Sequence, residues 1–120
     1  MLVKELIKIK DIEAGDRSIL KEVLVPAKEK IGAEFSLAHA KVLPGGATLL
    51  HSLSSSEAYI IISGSGRMRI EDEEKDVEAG QVVYIPPDAK QKITNTGDGD
   101  LVFYCVVSPP WKKENEKISE

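Results

Sequence analysis

Glycine and proline cut this sequence into short apolar runs at intervals of roughly 8–12 residues, a spacing that suits strands joined by turns and leaves little room for helices. The runs are SILKEVLV (18–25), EFSLAHAKVL (34–43), AYIIIS (58–63), SGRMRI (65–70), QVVYI (81–85), KQKIT (90–94) and LVFYCVV (101–107). Most alternate in character, the period of a strand with one wet face. LVFYCVV does not, and reads as a closing strand buried on both faces or nearly so. Such a chain packs as an all-β double-sheet roll or barrel. At 120 residues it forms one domain, able to bury about two-thirds of its unfolded surface around an aliphatic core. The expected layout is an N-terminal strand arm over 1–17, with a strand at 2–9, a core barrel over about 18–108, and a polar tail over 109–120 as frayed helix or coil.

The stretch PGGATLLHSLSSSEAYIIISG (44–64) carries most of the chemistry. A strand entering after a tight turn bears the imidazole of His51, a serine loop follows, and the next strand begins with Glu57. Both side chains then face one cavity. A carboxylate heading an apolar strand is costly to bury alone, so a cation, a metal or His51 should meet it. Tyr59 lies on the same face as Glu57, either as a pocket hydroxyl or as core. If Pro44-Gly45-Gly46 is a hairpin turn, His39 sits across from His51, whereas a one-residue change of register turns His39 to the other face. The acidic run EDEEKD (71–76) reads as a solvated hairpin tip.

Gly45, His51, Glu57 and Gly64 stand at the spacing of the first conserved motif of the cupin superfamily, and the stretch resembles that motif except at Leu53, where a second His is expected. Residues 80–95 resemble the second motif: Gly80, Pro86 and Asn95 match, Asp88 stands in place of a Gly and Gln91 in place of a His. The resemblance implies a jelly-roll barrel, the double-stranded β-helix. It also implies a metal site in which His51, Glu57 and Gln91 occupy three ligand positions and Leu53 vacates the fourth. A Gln amide is a weaker donor than imidazole, so His39 is the expected replacement. His39, His51, Glu57 and Gln91 would together hold a divalent Mn, Fe, Ni or Zn ion.

With a metal, the resemblance implies an isomerase, decarboxylase or dioxygenase-like enzyme, with Glu57 a ligand or catalytic base and Tyr59 and Met68 lining the small-molecule pocket. Without one, His51, Glu57 and Gln91 hydrogen-bond a sugar or organic acid in a binding module. In a third reading Leu53 and Met68 fill the barrel and leave a structural dimer with a vestigial pocket. A homodimer is expected from the resemblance and from the sheet edges it would cover, with Trp111 near the seam.

The remaining features exclude other classes. Net charge is −4 and the basic residues are scattered, so a nucleic-acid footprint is absent. No apolar run approaches the ~18 residues of a membrane span, and the N-terminus lacks the uninterrupted apolar core of a signal peptide. Cys105 lies in an apolar strand with no activating base, and the serines at 54–56 lack triad spacing. A reducing cytoplasm is the expected compartment.

Overall fold

The computed structural model describes all residues, 1–120. Eleven strands form two antiparallel sheets. One sheet contains β1 (Asp11–Glu13), β2 (Ile19–Leu24), β3 (Ser36–Val42), β5 (Ser56–Ser63), β8 (Val82–Ile85) and β10 (Leu101–Ser108), in the order β1-β2-β3-β10-β5-β8. The other contains β4 (His51–Leu53), β6 (Ser65–Ile70), β7 (Glu73–Glu78), β9 (Gln91–Asn95) and β11 (Glu116–Ile118), in the order β11-β4-β9-β6-β7. Helix is confined to α1 (Pro26–Glu29) and two single 3-10 turns, and no helix is long and apolar enough to cross a membrane. The two sheets pack face to face as a jelly roll, the all-β architecture expected.

Alternation decides which side chains form the core. Along β10, Leu101, Phe103, Cys105 and Val107 are buried, while Val102, Tyr104 and Val106 are half-buried on the outer face. The closing strand is therefore buried on its inner face and half-buried on its outer one. Leu101, Phe103 and Cys105 join Ala40, Val42, Tyr59, Ile61, Met68 and Ile93 in one core cluster. The outer face of this sheet is apolar as well, with Ile60, Ile62, Val82 and Tyr84 exposed.

Two motif positions show the backbone constraint behind their residue type. Asp88, where the motif has Gly, adopts φ 65°, a left-handed conformation that Asp tolerates better than most side chains. Gly64, between β5 and β6, adopts φ 87°, and a Cβ there would lie 2.6 Å from the carbonyl oxygen of Asp100. Gly64→Ala is expected to destabilise the fold by about 1–3 kcal/mol, read from the urea midpoint; an unchanged midpoint would remove the constraint.

Several expectations fail at the ends of the chain. Residues 2–9 form no strand: Leu6–Lys8 is a single 3-10 turn with no buried residue, and the segment joins neither sheet. The pairing strand of the arm is β1, joined to β2 with Ile12 opposite Leu20. The polar tail is neither helix nor frayed coil. It makes a 3-10 turn at Lys113–Asn115 and then β11, which adds to the free edge of β4 with Glu116 opposite Leu53 and Ile118 opposite His51. Ser119 N–H donates to the Leu50 carbonyl at 2.7 Å, and the Glu120 carboxylate accepts from the Leu50 N–H and from Lys92, holding the tail in place. The acidic run turns only at Glu71 and Asp72; Glu73–Glu78 is strand, with Arg67 of β6 donating to Asp76 at 2.9 Å.

The turn at 43–46 is tight, with Gly46 N–H donating to the Leu43 carbonyl, but it does not make a hairpin between β3 and β4. Both edges of β3 are taken, by β2 and by β10, and these ladders are longer than three-residue β4 could offer. The chain crosses instead to the other sheet, where Ala47 bridges Thr94 and β4 pairs with β9 and β11.

Candidate functional site

The crossing at 43–46 separates the two histidines. His39 is opposite Tyr104 on one side and Lys21 on the other, and its ring meets the Tyr104 ring edge-on at a centroid distance of 5.4 Å. It faces away from the core, since its neighbours Ala38 and Ala40 take the inward positions. Burial against Tyr104, followed by the charge of Lys21, lowers its pKa. His39 therefore does not replace the missing imidazole, and the expected four-donor set is not assembled.

His51, Glu57 and Tyr59 do come together, with Gln91 behind them. His51 and Leu53 both point inward from β4, two residues apart on one face. Glu57 and Tyr59 do the same from β5. Gln91 lies directly opposite His51 across the β4–β9 pair. Tyr59 Oη donates to Gln91 Oε1 at 2.8 Å, and Gln91 Nε2 donates to Glu57 Oε1 at 2.8 Å, a chain that links the two sheets. Gln91 is only 1% exposed; both ends of its amide are engaged by its two neighbours. Met68, expected in the pocket, also lies elsewhere: it pairs with Ile93 on β6, beyond β9, and packs in the core cluster.

The cavity opens on the other side of this layer, and the segments that sequence reasoning treated as arm and tail build its walls. It encloses about 340 Å³ and is bounded by the β1–β2 arm, by Leu53, Tyr59, Phe103 and Cys105, and by Trp111 and Glu116 of the C-terminal segment. Phe103 lies against Tyr59 with centroids 4.4 Å apart, forming an aromatic floor. Trp111 is held by its backbone N–H, which donates to Ser36 Oγ at 3.0 Å.

Two groups that the sequence reading did not select face His51. The Nδ1–H of His51 donates to the Leu49 carbonyl at 2.7 Å, which assigns the proton to that nitrogen because a carbonyl only accepts. Its Nε2 then lies 3.4 Å from Asp16 Oδ2. Asp16 is fixed through its other oxygen, which accepts from Ser18 N–H at 3.0 Å and Ser18 Oγ at 2.6 Å. Glu116 enters from β11 and packs so close to Gly15 that a Cβ at residue 15 would stand 2.9 Å from its Oε1. The third side chain on this wall is Trp111, which the sequence reading places at a dimer seam; it lines the cavity and hydrogen-bonds Glu116. The only sequence signals for these residues were the turn at 14–16 and a lone Trp and Ile in a polar tail.

Burial dominates the electrostatics. It pushes the Glu57 carboxyl up to about 8, against the lowering effect of the Gln91 hydrogen bond and with smaller contributions from Asp16 and Glu116. Glu116 is raised chiefly by burial, with His51 pulling it back down. The Cys105 thiol and the Tyr59 hydroxyl are raised by burial too, so neither is an activated nucleophile or base.

The donor chemistry does not fit the metal that the motif resemblance implies. Leu53 fills one ligand position with a hydrocarbon, Gln91 spends both ends of its amide on Tyr59 and Glu57, and one Glu57 oxygen is spent on Gln91. No three His, Cys, Asp or Glu side chains come together to hold an ion.

Two antiparallel sheets rolled around an inner cavity, with His51 and Glu57 presented from adjacent turns of the roll, define a jelly-roll barrel with a pocket. The chain belongs to the cupin family: the cupin domain matches residues 38–107. It is 40% identical over 114 residues to an uncharacterized protein of Methanocaldococcus jannaschii, covering 94% of this chain and 90% of that protein. It is 31% identical over 101 residues to the glucose-6-phosphate isomerase of Pyrococcus furiosus, covering 77% of this chain and 47% of the isomerase. The chain thus spans about half the length of the isomerases it matches. The crystal structure of a predicted oxalate decarboxylase from Thermotoga maritima shares the fold at a TM-score of 0.79 and 22% identity, over 90% of this chain and 99% of that one.

Proposed function

We propose that this chain is a small-molecule-binding cupin whose pocket works without a metal. The observation that carries the reading is the cavity of about 340 Å³ onto which a buried, partly unpaired Glu57 opens, while of the positions that the motif reserves for metal ligands one is apolar, Glu57 and Gln91 are bonded to each other, and His51 is turned to Leu49 and Asp16. The size suits a small ligand, and the aliphatic and aromatic walls with a few polar groups are those of a binding pocket.

The relation to glucose-6-phosphate isomerases favours a second reading, an enzyme in which Glu57 moves a proton. Its raised pKa, about 8, is of the kind a neutral-pH acid or base has. A phosphate ester is nonetheless a poor match for this cavity. The single lysine on its lining, Lys28, is tied to Glu22 at 3.1 Å, and a phosphate inside would face Asp16, Glu57 and Glu116. The expected result with glucose 6-phosphate is no turnover.

The reading is tested by elemental analysis of untagged protein, followed by calorimetric titration with Mn, Fe(II), Ni and Zn. The expected result is far less than one metal per chain and no saturable binding. Near one per chain, lost in His51→Ala, would replace this reading with a metalloprotein. In parallel, a panel of small polyols, acids and amines is screened by NMR for shifts at Tyr59, Phe103 and Cys105. These shifts are expected to vanish in Leu24→Trp, which narrows the cavity mouth; no hit, or hits indifferent to Leu24→Trp, would remove the binding role.

A further inference from the structure

We infer that the ligand of this pocket is an organic cation, a small amine or quaternary ammonium with an apolar body. The inference rests on the metal-independent binding pocket proposed above. Three carboxyl-bearing side chains, Asp16 of the β1–β2 turn, Glu57 of β5 and Glu116 of β11, line the cavity, near enough that Asp16 and Glu116 each help to raise the Glu57 carboxyl, though they do not meet at one point. The only basic side chain among them is His51, whose Nδ1 is committed to the Leu49 carbonyl and whose Nε2 is 3.4 Å from Asp16. Neither Glu57 nor Glu116 has a salt-bridge partner, and the one lysine on the lining is held at the mouth by Glu22. Buried acids are ordinarily either paired with a cation or held protonated. Here only Asp16 has a basic partner, Glu116 takes a hydrogen bond from Trp111, and burial favours the protonated form of Glu57, which an arriving ammonium would ionise.

The second observation is Glu57 itself. It is only 6% exposed, and its Oε1 accepts from Gln91 while its Oε2 has no hydrogen-bond partner. No fully enclosed polar side-chain atom lacks a partner anywhere in the protein, so this oxygen opens on the cavity, aimed at whatever occupies it. The walls complete the match. Trp111, Tyr59 and Phe103 line the same space, and aromatic faces beside carboxylates are the usual surroundings of an ammonium headgroup.

The same geometry separates an organic cation from the alternatives. A metal needs three or more donors meeting at one point, and no such group exists here. A carboxylate or phosphate ligand would meet carboxyl groups with no free cation to offset them. A neutral sugar would satisfy Glu57 but leave Asp16 and Glu116 sharing one imidazole and would place hydroxyls against Phe103 and Cys105. An alkylammonium sets its charge among the three acids and its carbons on the aromatic and aliphatic wall.

The test uses the full chain and matched probes: choline against its uncharged isostere 3,3-dimethylbutan-1-ol, and butylamine against butanol and butyrate, each titrated by NMR and calorimetry. The cations are expected to bind at least about tenfold tighter than their neutral isosteres, and butyrate not at all. Glu116→Gln and Asp16→Asn should each reduce choline binding by about tenfold while leaving the neutral isostere within about twofold. Glu116→Gln is the more secure of the two, since Asp16 also holds the Ser18 turn; its melting temperature checks that the fold is kept. Equal binding of charged and neutral members, or preference for butyrate, overturns the cation inference and leaves the binding pocket standing. Failure of every probe class to reach the cavity overturns both.

Discussion

Glu57→Gln is expected to abolish most of the pH dependence of stability and to make the protein more stable than wild type in mild alkali. Burial holds the Glu57 carboxyl at about 8 in the folded chain, against an ordinary value of 4.5. Between those values the folded state binds a proton that the unfolded state has lost. Stability from this group is therefore fully present below pH 4.5, falls as pH rises, and is gone above about pH 8. The slope approaches 1.4 kcal/mol per pH unit, so the span amounts to roughly 3–5 kcal/mol, a large part of the stability of a small domain. The substituted amide would keep an oxygen for Gln91 Nε2 and has no charge to desolvate. The two proteins should have similar urea midpoints near pH 4, diverge as pH rises and reach a constant separation above about pH 8, with the variant ahead. Glu116, raised in the same direction, leaves a smaller residual slope in the variant. Parallel profiles from pH 5 to 9 would show that Glu57 is solvated or paired in solution, and the account of the pocket would fail with it.

The barrel was legible because its determinants are local. Turn glycines, prolines and period-two alternation each act within a few residues, and Gly64 is needed where its own φ and the approach of Asp100 leave no room for a Cβ. The inward placement of His51, Glu57 and Tyr59 was legible for the same reason. What failed depended on pairing between distant segments. His39 was placed beside His51 on the assumption that a tight turn makes a hairpin, but β3 pairs with β2 and β10, and its alternation then turns His39 outward. Asp16 and Glu116 reach the cavity only because β1 and β11 add to sheet edges, and a three-residue strand such as β11 leaves almost no periodic trace. Gln91 is assigned to the pocket by motif position, and Met68 by its place on the strand between the two motifs. The hydrogen-bond chain from Tyr59 to Glu57 puts Gln91 behind the lining, and Met68 lies one strand further away.

Converting the two ligand positions that depart from the motif, Leu53→His with Gln91→His, is expected to create a site for a divalent metal. Residues 51 and 53 project from the same face of β4, residue 91 lies directly across from 51, and Glu57 is already within hydrogen-bond reach of residue 91. Replacing Gln91 also releases Glu57 Oε1 from its present donor. Three imidazoles and a carboxylate suit Ni, Co or Zn, and the double variant should take up about one ion per chain. At an ion concentration ~100 times its Kd, binding adds about 2.7 kcal/mol, which raises the melting temperature by roughly 10 °C. Each single variant should bind far more weakly, because Leu53 or a Gln amide still occupies one position. Wild type should show no metal-dependent shift. Charged imidazoles in a dry barrel destabilise the metal-free double variant at low pH, so the titration belongs at pH 8, where they are neutral. A folded double variant that binds no metal would mean that the inner faces of β4 and β9 do not converge as the register requires. The misfit of the natural donor set would then lie in the backbone, not in the two substituted side chains.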